Sequence, residues 1–230
     1  MLKMPSIQTN EFSKKAFSYT KHNVIQKKVV KKLIENIKSN PKRILDLGCG
    51  SGAVYEQIFW QIEEFTGIDS ATNMCLLHTT NSKIKLINED FETYEFNQAD
   101  IIISSSAIQW AKNLDALFQK ISKKTDKIAF SIFCDGTFKT IYEVANLKTF
   151  LPNKDELIKL LNRYFEFDYE IVNYKLDFED NLSKFRYIKN SGVSTGVRKL
   201  NFKDTKKLIS SYPHKYLEFE VMFIWGKTKN

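Results

Sequence analysis

The chain has 230 residues and a formal net charge of +8, and 43% of its residues are hydrophobic. This length fits one domain with a sizeable core, and the apolar content argues against a disordered chain. No run of about 18 apolar residues and no charged-then-apolar leader is present, so the sequence predicts neither a membrane span nor secretion. We expect residues 1–230 to form a single, monomeric domain in the cytoplasm.

The cysteines and histidines do not form a pattern typical of disulfides or metal sites. Cys49, Cys75 and Cys134 are odd in number and far apart, and none belongs to a Cys-x-x-Cys pair. This spacing argues against a disulfide framework or a zinc site and agrees with a reducing cytoplasm. The three histidines are equally scattered, so we expect no metal.

The positive charge is spread along the chain, with short lysine clusters at residues 27–28, 31–32, 123–124 and 206–207. A basic surface attracts nucleic acid, anionic membranes or acidic proteins, but it is also an ordinary solvated surface. The charge alone therefore identifies no partner.

In chain order, the first predicted element is a helix over residues 17–37, where apolar side chains recur at helical spacing. Pro41 ends this helix, because the residue before a proline disfavours the helical conformation. We predict that residues 1–40 form an N-terminal helical cap or lid.

Strand-like runs then alternate with helical patterns. The predicted strands are residues 43–47, 65–68, 84–87, 99–104 and 127–133. Asn113 is predicted to cap the helix that follows the fourth strand. This alternation predicts a parallel sheet over residues 41–135, with right-handed crossovers and helices on both faces.

The pattern changes after Gly136. Residues 137–147 and 153–164 are predicted as helices, and residues 169–178 and 217–225 as two late strands. We expect these strands to join the sheet edge in antiparallel orientation, which gives a mostly parallel sheet of seven strands. Residues 136–230 would then hold a helical insertion and the C-terminal strands.

The strongest motif is Asp46-Leu47-Gly48-Cys49-Gly50-Ser51-Gly52, between the first strand and a helix. Glycines lack a Cβ atom, so the backbone can turn sharply here and approach a ligand closely. The N–H groups at the start of the helix favour an electron-rich or anionic group. Asp69 lies about 20 residues further on, where a carboxylate can accept hydrogen bonds from both ribose hydroxyls of a nucleoside.

Two cofactors compete for this loop. Gly48-x-Gly50-x-x-Ala53 also matches the dinucleotide fingerprint, so the glycines alone leave NAD open. Asp46, however, faces the ammonium and sulfonium of S-adenosylmethionine better than a pyrophosphate, and Gly52 completes a tight Gly-x-Gly-x-Gly form. The chain is also short for a nicotinamide enzyme with its own substrate domain. The sequence therefore favours S-adenosylmethionine, which makes the core over residues 41–135 its binding domain.

The glycine motif, together with Asp69-Ser70 and Met74, closely resembles the class I methyltransferases, which have a Rossmann-like α/β fold. The resemblance implies that the loop, including Cys49, lies under the methionine part of the cofactor and that Asp69 binds the ribose. In this family an acidic residue after the third strand faces the adenine amino group. Asp90 is the best match, and Phe91 would pack on the base, although a solvated acidic turn explains the same residues.

A narrower resemblance covers most of the chain. Ser104-Ser105-Ser106-Ala107-Ile108-Gln109-Trp110 is similar to the stretch after strand four in the malonyl-acyl-carrier-protein O-methyltransferases of biotin synthesis. Further matching segments are Tyr19, His22 and Gln26 before the first strand, and residues 191–194 and 216–221 near the C-terminus. Ser105 departs from the family, where an asparagine is commoner.

This resemblance implies roles for four more residues. Ser104 would contact the cofactor, and Tyr19 would close over it, although a tyrosine that packs a helix is an equal alternative. Gln109 and Trp110 would line the acceptor pocket, with a core position as the alternative for Trp110.

The implied reaction is methylation of the free carboxylate of a malonyl group on acyl carrier protein, an acidic partner. A carboxylate is ionised at neutral pH, so no general base is required and no catalytic residue is assigned. Lys112, Arg186 and Arg198 are unranked candidates for holding that carboxylate.

Three alternatives remain open at this point. They are a methyltransferase for a free small carboxylic acid, similar to trans-aconitate; a basic RNA-binding module with a vestigial cofactor site; and a nicotinamide enzyme. The intact Asp46, glycine loop and Asp69 argue against a decayed site, so nucleic acid is not the expected partner, nor is a membrane.

Overall fold

The computed structural model describes residues 23–190 and 201–229. Its strands are β1 (Arg43–Leu47), β2 (Glu64–Ile68), β3 (Ile84–Ile87), β4 (Ile101–Ser105), β5 (Lys127–Phe133), β6 (Phe165–Asp177) and β7 (Tyr216–Thr228). Its α-helices are α1 (Val24–Glu35), α2 (Ala53–Gln57), α3 (Thr72–Cys75), α4 (Leu114–Ser122), α5 (Lys139–Ala145), α6 (Lys154–Leu161), α7 (Asn181–Asn190) and α8 (Phe202–Ser211), and a 3-10 turn spans Ile108–Trp110.

The strands form one seven-stranded sheet in the order β3-β2-β1-β4-β5-β7-β6. Strands β1 to β5 pair in parallel, while β7 pairs antiparallel with β5 on one side and with β6 on the other. The predicted fold class is therefore confirmed, including the antiparallel C-terminal edge.

Helices cover both faces of the sheet. On one face, α1 buries Ile25, Val29 and Leu33 completely and contacts β4 and β5. On the other, Phe118 of α4 packs against Phe130 of β5, with ring centroids 6.1 Å apart. Both faces of the parallel strands are apolar because each lies under a helix, which explains their continuous hydrophobic runs.

The predicted elements differ from the observed ones mainly at their ends. Residues 24–35 of the predicted N-terminal cap form a buried layer of the core, and residues 1–22 lie outside the described residues. Strand β6 begins at Phe165, four residues before the predicted start, because its pairing with β7 extends the ladder to Thr228. No described helix is both long enough and apolar enough to cross a bilayer.

The sheet order places a ligand crevice between two strands. The chain runs from β1 outward through β2 to β3, and then returns to add β4 and β5 on the other side of β1. Crossover connections leave the sheet in opposite directions at such a switch point, so a crevice opens beyond the carboxyl ends of β1 and β4. The loops after Leu47 and Ser105 meet there.

Candidate cofactor-binding site

The glycine motif forms the floor of this crevice. Gly48, Gly50 and Gly52 all have positive φ angles, of 75°, 53° and 95°. A Cβ on Gly48 would lie only 2.2 Å from the Cβ of Ala107, so the loop after β4 packs directly on the glycine loop. The motif is therefore required both by its backbone conformation and by this close approach.

Asp69, at the end of β2, is hydrogen-bonded to the same loop. Its Oδ2 accepts the N–H of Gly50 at 2.9 Å, and its Oδ1 accepts the N–H of Ala71 at 2.8 Å. Burial raises the pKa of this carboxyl, against the lowering effect of the two backbone donors. Each carboxylate oxygen can accept a second hydrogen bond, so the side chain can still receive two hydroxyl groups.

Asp46 is fully buried at the centre of the sheet, and neither carboxylate oxygen has a hydrogen-bond partner among the described residues. Burial, followed by the nearby charge of Asp69, raises the pKa of this carboxyl well above its usual value. An unpartnered buried carboxylate is costly, and a cation would supply the missing partner. The site thus fits the cationic methionine part of S-adenosylmethionine, whereas a pyrophosphate would add like charge.

Three more predicted residues lie around the loop. The Met74 methyl group is 3.3 Å from the position of a Cβ on Gly50, so this side chain packs on the loop. Cys49 is buried behind the loop, with its Sγ 2.8 Å from the position of a Cβ on Gly67 of β2. Ser70 is half-buried directly after Asp69.

The predicted adenine side is a turn after β3. The Asp90 carboxylate accepts the N–H of Glu92 at 2.9 Å, and Phe91 is half-buried, with a ring carbon 3.9 Å from the position of a Cβ on Gly48. Phe91 therefore borders the glycine loop. Asp90 uses one carboxylate oxygen to shape the turn.

Two residues that the sequence analysis did not single out support this turn. Asn88 donates to the backbone oxygen of Asp69 at 2.8 Å and accepts the hydroxyl of Thr72 at 2.7 Å, which joins the loops after β2 and β3. Lys120 of α4 donates three hydrogen bonds of 2.6–3.1 Å, to the carbonyls of Phe91, Glu92 and Tyr94. Neither residue has a sequence signal, because both bind atoms of segments that are distant in the sequence.

The loop after β4 forms the opposite wall. The Ser104 hydroxyl donates to the carbonyl of Leu47 at 2.7 Å, so it fastens β4 to the glycine loop. Ser106 has a φ of 61°, in the left-handed region where a serine is strained. The Gln109 amide donates to the carbonyl of Ser106 at 2.8 Å, and its own carbonyl oxygen is buried without a hydrogen-bond partner among the described residues.

Trp110, the aromatic residue of this loop, contacts a segment outside the parallel core. Trp110 is half-buried and stacks on Phe150, with ring centroids 5.1 Å apart. The interaction joins the loop after β4 to the segment between α5 and α6. Trp110 thus occupies an intermediate position between the two alternatives that the sequence left open, a core residue and a pocket residue.

The candidate cations for the acceptor carboxylate are scattered. Lys112 is exposed after the 3-10 turn, Arg186 is exposed on α7, and Arg198 lies outside the described residues, as does Tyr19. Lys184, which the sequence did not indicate, is a buried cation of α7. Its Nζ donates to the carbonyl of His214 and lies 4.5 Å from the Tyr212 ring centre, so its polar partners belong to the fold.

Comparison with known proteins agrees with this geometry. Residues 45–127 match a family model described as a methyltransferase domain. Malonyl-[acyl-carrier protein] O-methyltransferase from Acetivibrio thermocellus is 28% identical over 87% of this chain and 83% of its own length. Seven further relatives with the same name are 23–33% identical.

Solved structures share the fold. The YcgJ protein of Bacillus subtilis superposes with a TM-score of 0.67 and 11% identity, over 88% of this chain and 99% of that protein. Phosphoethanolamine N-methyltransferase 2 of Haemonchus contortus, solved in complex with S-adenosyl-L-methionine, gives a TM-score of 0.61 at 16% identity, over 98% of this chain and 61% of that one. The matched domain and the named relatives indicate an S-adenosylmethionine-dependent methyltransferase, and the sheet order is that of the class I methyltransferase fold.

Proposed function

We propose that this methyltransferase converts the free carboxylate of malonyl-[acyl-carrier protein] to its methyl ester, an early step of biotin synthesis in the cytoplasm. The observation that carries the proposal is the shared name of relatives that match up to 96% of the chain. The product loses a negative charge, which lets the acyl group enter an apolar pocket of chain-elongating enzymes.

On the donor side, we assign each residue the role that its position supports. Asp46 balances the positive charge of the methionine part, and the backbone of Gly48 and Gly50 lies against it. Asp69 accepts the ribose hydroxyls, while Asp90 and Phe91 border the adenine. When bound, S-adenosylmethionine supplies an electrophilic methyl group on a cationic sulfur.

On the acceptor side, the chemistry requires positioning more than proton transfer. A malonyl carboxylate is already ionised at neutral pH, so its oxygen can attack without a base. The protein must hold that oxygen and the methyl carbon in line and exclude water. We assign this task to Gln109 and Trp110 on the loop after β4, and we propose that Tyr19 of the N-terminal cap closes over the site.

The carrier protein is an acidic partner, and the proposed docking side is basic. Helix α8 exposes Lys203, Lys206 and Lys207, and it directly precedes β7. The first residues of β7 lie beyond the carboxyl end of β5, since Val221 pairs with Phe133. The lysines of α8 are therefore on the side of the crevice, where they would steer an acidic protein.

The test is a methylation assay with purified monomeric protein, malonyl-acyl carrier protein and S-adenosylmethionine. Intact-mass spectrometry should show a gain of one CH₂ on the malonyl carrier and none on a carrier with a free thiol. Asp46→Asn should abolish the gain. Methylation of a free tricarboxylic acid, with malonyl carrier unchanged although cofactor binds, would overturn the proposal.

A further inference from the structure

Three consecutive serines span the carboxyl end of β4, and their hydroxyl groups have different environments. The Ser104 hydroxyl donates to the carbonyl of Leu47 at 2.7 Å. The Ser105 hydroxyl lies 3.2 Å from the hydroxyl of Ser131 on β5, and the two share a hydrogen bond. The Ser106 hydroxyl is buried and has no hydrogen-bond partner among the described residues. The fold therefore uses the first two hydroxyls and leaves the third unused.

The backbone of Ser106 is strained as well. Its φ of 61° lies in the left-handed region, which a glycine adopts without the steric cost that a Cβ atom brings. The N–H of Ser106 donates to the carbonyl of Ser131 at 2.9 Å, which holds the residue against β5. A glycine here would remove both the backbone strain and the unpartnered buried hydroxyl. Two unfavourable features at one residue indicate a functional role, because such costs cluster at ligand-binding and active sites.

Gln109 provides a second unpartnered polar atom on the same turn. Its side chain is only 6% exposed, and its amide nitrogen donates to the carbonyl of Ser106 at 2.8 Å. A carbonyl oxygen only accepts hydrogen bonds, so the glutamine nitrogen must face it and the glutamine oxygen points elsewhere. That oxygen is also buried without a partner in the part of the chain that the structure describes. The turn therefore offers a ligand two polar atoms, a hydroxyl that can donate and an oxygen that only accepts.

The position of this turn favours the acceptor over the methyl donor. The residues assigned to the donor belong to the other side of the crevice: Asp46 lies on β1, Asp69 follows β2 and Asp90 follows β3. Ser106 lies beyond β4 and is hydrogen-bonded to β5. An ionised carboxylate only accepts hydrogen bonds, so it matches the serine hydroxyl. The Gln109 oxygen needs an N–H or O–H group, which a carboxylate lacks, so it contacts another part of the bound molecules.

We propose that the Ser106 hydroxyl donates a hydrogen bond to the carboxylate of the acceptor. The bond goes to the carboxylate oxygen that does not attack, and it orients the other oxygen toward the methyl carbon. Gln109 fixes the turn that presents the hydroxyl, through its hydrogen bond to the Ser106 carbonyl. The inference deepens the proposed function and rests on it only for the class of acceptor, a carboxylate.

The experiment compares the wild type with Ser106→Gly and Ser106→Ala, using both malonyl carrier and a malonyl-pantetheine thioester as acceptors. We expect kcat/KM to fall at least about tenfold for both acceptors, since a hydrogen bond to a charged group has that weight. The S-adenosylmethionine Kd, measured by calorimetry, should stay unchanged. Ser106→Gly should melt no lower than the wild type, because glycine relieves the left-handed backbone. A serine with a purely structural role would not lose activity while stability is kept.

Ser105→Ala is the matched control, because the Ser105 hydroxyl already has a partner in the fold. This variant should melt lower than the wild type and keep its kcat/KM. Ser106 variants that retain full kcat/KM would refute the inference. A raised S-adenosylmethionine Kd in these variants would refute it too, because the hydroxyl would then bind the donor. An equal loss of kcat/KM in Ser105→Ala would show that the activity responds to any change in this loop.

Failure of this inference is distinguishable from failure of the proposed function. If the wild type methylates malonyl carrier and the Ser106 variants do so equally well, only the inference is wrong. If the wild type methylates a free tricarboxylic acid instead, the proposed function is wrong, and the variants are compared on that acid with the same expected loss. A wild type that binds S-adenosylmethionine and methylates neither carboxylate contradicts both.

Discussion

At the scale of single residues, the buried carboxylate of Asp46 lowers the stability of the apoprotein, and we predict that cofactor binding compensates for this cost. Its carboxylate is buried without a partner among the described residues, and burial raises its pKa well above the usual range. Between the ordinary and the raised pKa, the folded apoprotein holds a proton that the unfolded chain releases. The free energy of unfolding therefore decreases as pH rises through that window, and a bound cation should reverse the loss.

Asp46→Asn tests this relation. We expect the apoprotein of this variant to melt higher than the wild type at neutral pH, by about 2–4 °C for each kcal/mol in a domain of this size. Its S-adenosylmethionine affinity should be at least about tenfold weaker, a loss of ~1.4 kcal/mol. Scanning calorimetry across pH and titration calorimetry measure the two effects.

Asp100 provides the opposite control, because Arg43 hydrogen bonds lower its pKa. Asp100→Asn should lower the melting temperature at neutral pH and leave donor binding unchanged. Wild-type donor binding should also release protons in the window of the raised Asp46 pKa, seen as a dependence of binding heat on buffer. A lower melting temperature for Asp46→Asn at neutral pH would contradict the explanation.

Gly48 is constrained twice, by a φ of 75° and by the 2.2 Å approach to Ala107. Gly48→Ala should lower the free energy of unfolding by about 1–3 kcal/mol and abolish donor binding, since both the left-handed backbone and the contact resist a Cβ. Gly48→Ala combined with Ala107→Gly removes the clash but keeps the backbone strain. The double variant should recover part of the stability in thermal melting, and no recovery would show that the contact is unimportant.

At the scale of elements, local signals were sufficient for the parallel core. Each of the five parallel strands is a short apolar run, and the side-chain oxygen of Asn113 accepts the N–H of Ala116 at the predicted start of α4. Helices α7 and α8 were not delimited by the sequence. Both are polar on average, and the apolar periodicity of α7 is weak. The length of β6 and β7 depends on their mutual pairing over 13 residues each, which no local pattern contains.

The same limit applies to the site. The contact between the glycine loop and Asp69 could be predicted from their fixed spacing, whereas Asn88 joins the loops after β2 and β3 through tertiary packing. Residues that act on backbone atoms of another element leave no motif.

The hydrogen bonds between α4 and the turn on the predicted adenine side can be tested by mutation. Lys120 donates to three carbonyls of the turn over residues 91–94 and lies 4.0 Å from the Phe96 ring centre. Lys120→Met keeps an apolar side chain of similar length but leaves these carbonyls without their donor. We expect a lower melting temperature and an S-adenosylmethionine Kd about tenfold higher, since hydrogen bonds to charged groups contribute ~1.5–3 kcal/mol. Lys123→Met, exposed at the end of the same helix, should change neither quantity, and equal effects would contradict the role of Lys120.

At the scale of the whole molecule, the excess of positive charge bears on the acceptor rather than on the fold. The chain has 35 Lys and Arg residues against 27 Asp and Glu residues. Charges of opposite sign on an acidic carrier attract over about 10 Å at 0.1 M salt and only ~3 Å at 1 M. A basic docking side should therefore affect the rate of encounter with the carrier and leave donor binding at the buried Asp46 nearly unchanged.

Varying the salt concentration and reversing surface charges together separate the rate of encounter with the carrier from donor binding. We expect kcat/KM for malonyl carrier to fall several-fold with rising salt, while kcat/KM for a malonyl-pantetheine thioester stays nearly constant. Lys206→Glu with Lys207→Glu, on α8 beside the crevice, should reproduce that fall at low salt. The control pair, Lys123→Glu with Lys124→Glu, lies in the turn between α4 and β5, at the amino ends of the parallel strands and away from the crevice, and should have little effect. If both pairs act equally, the attraction comes from net charge and not from a docking face, because only a local surface distinguishes two equal changes of charge.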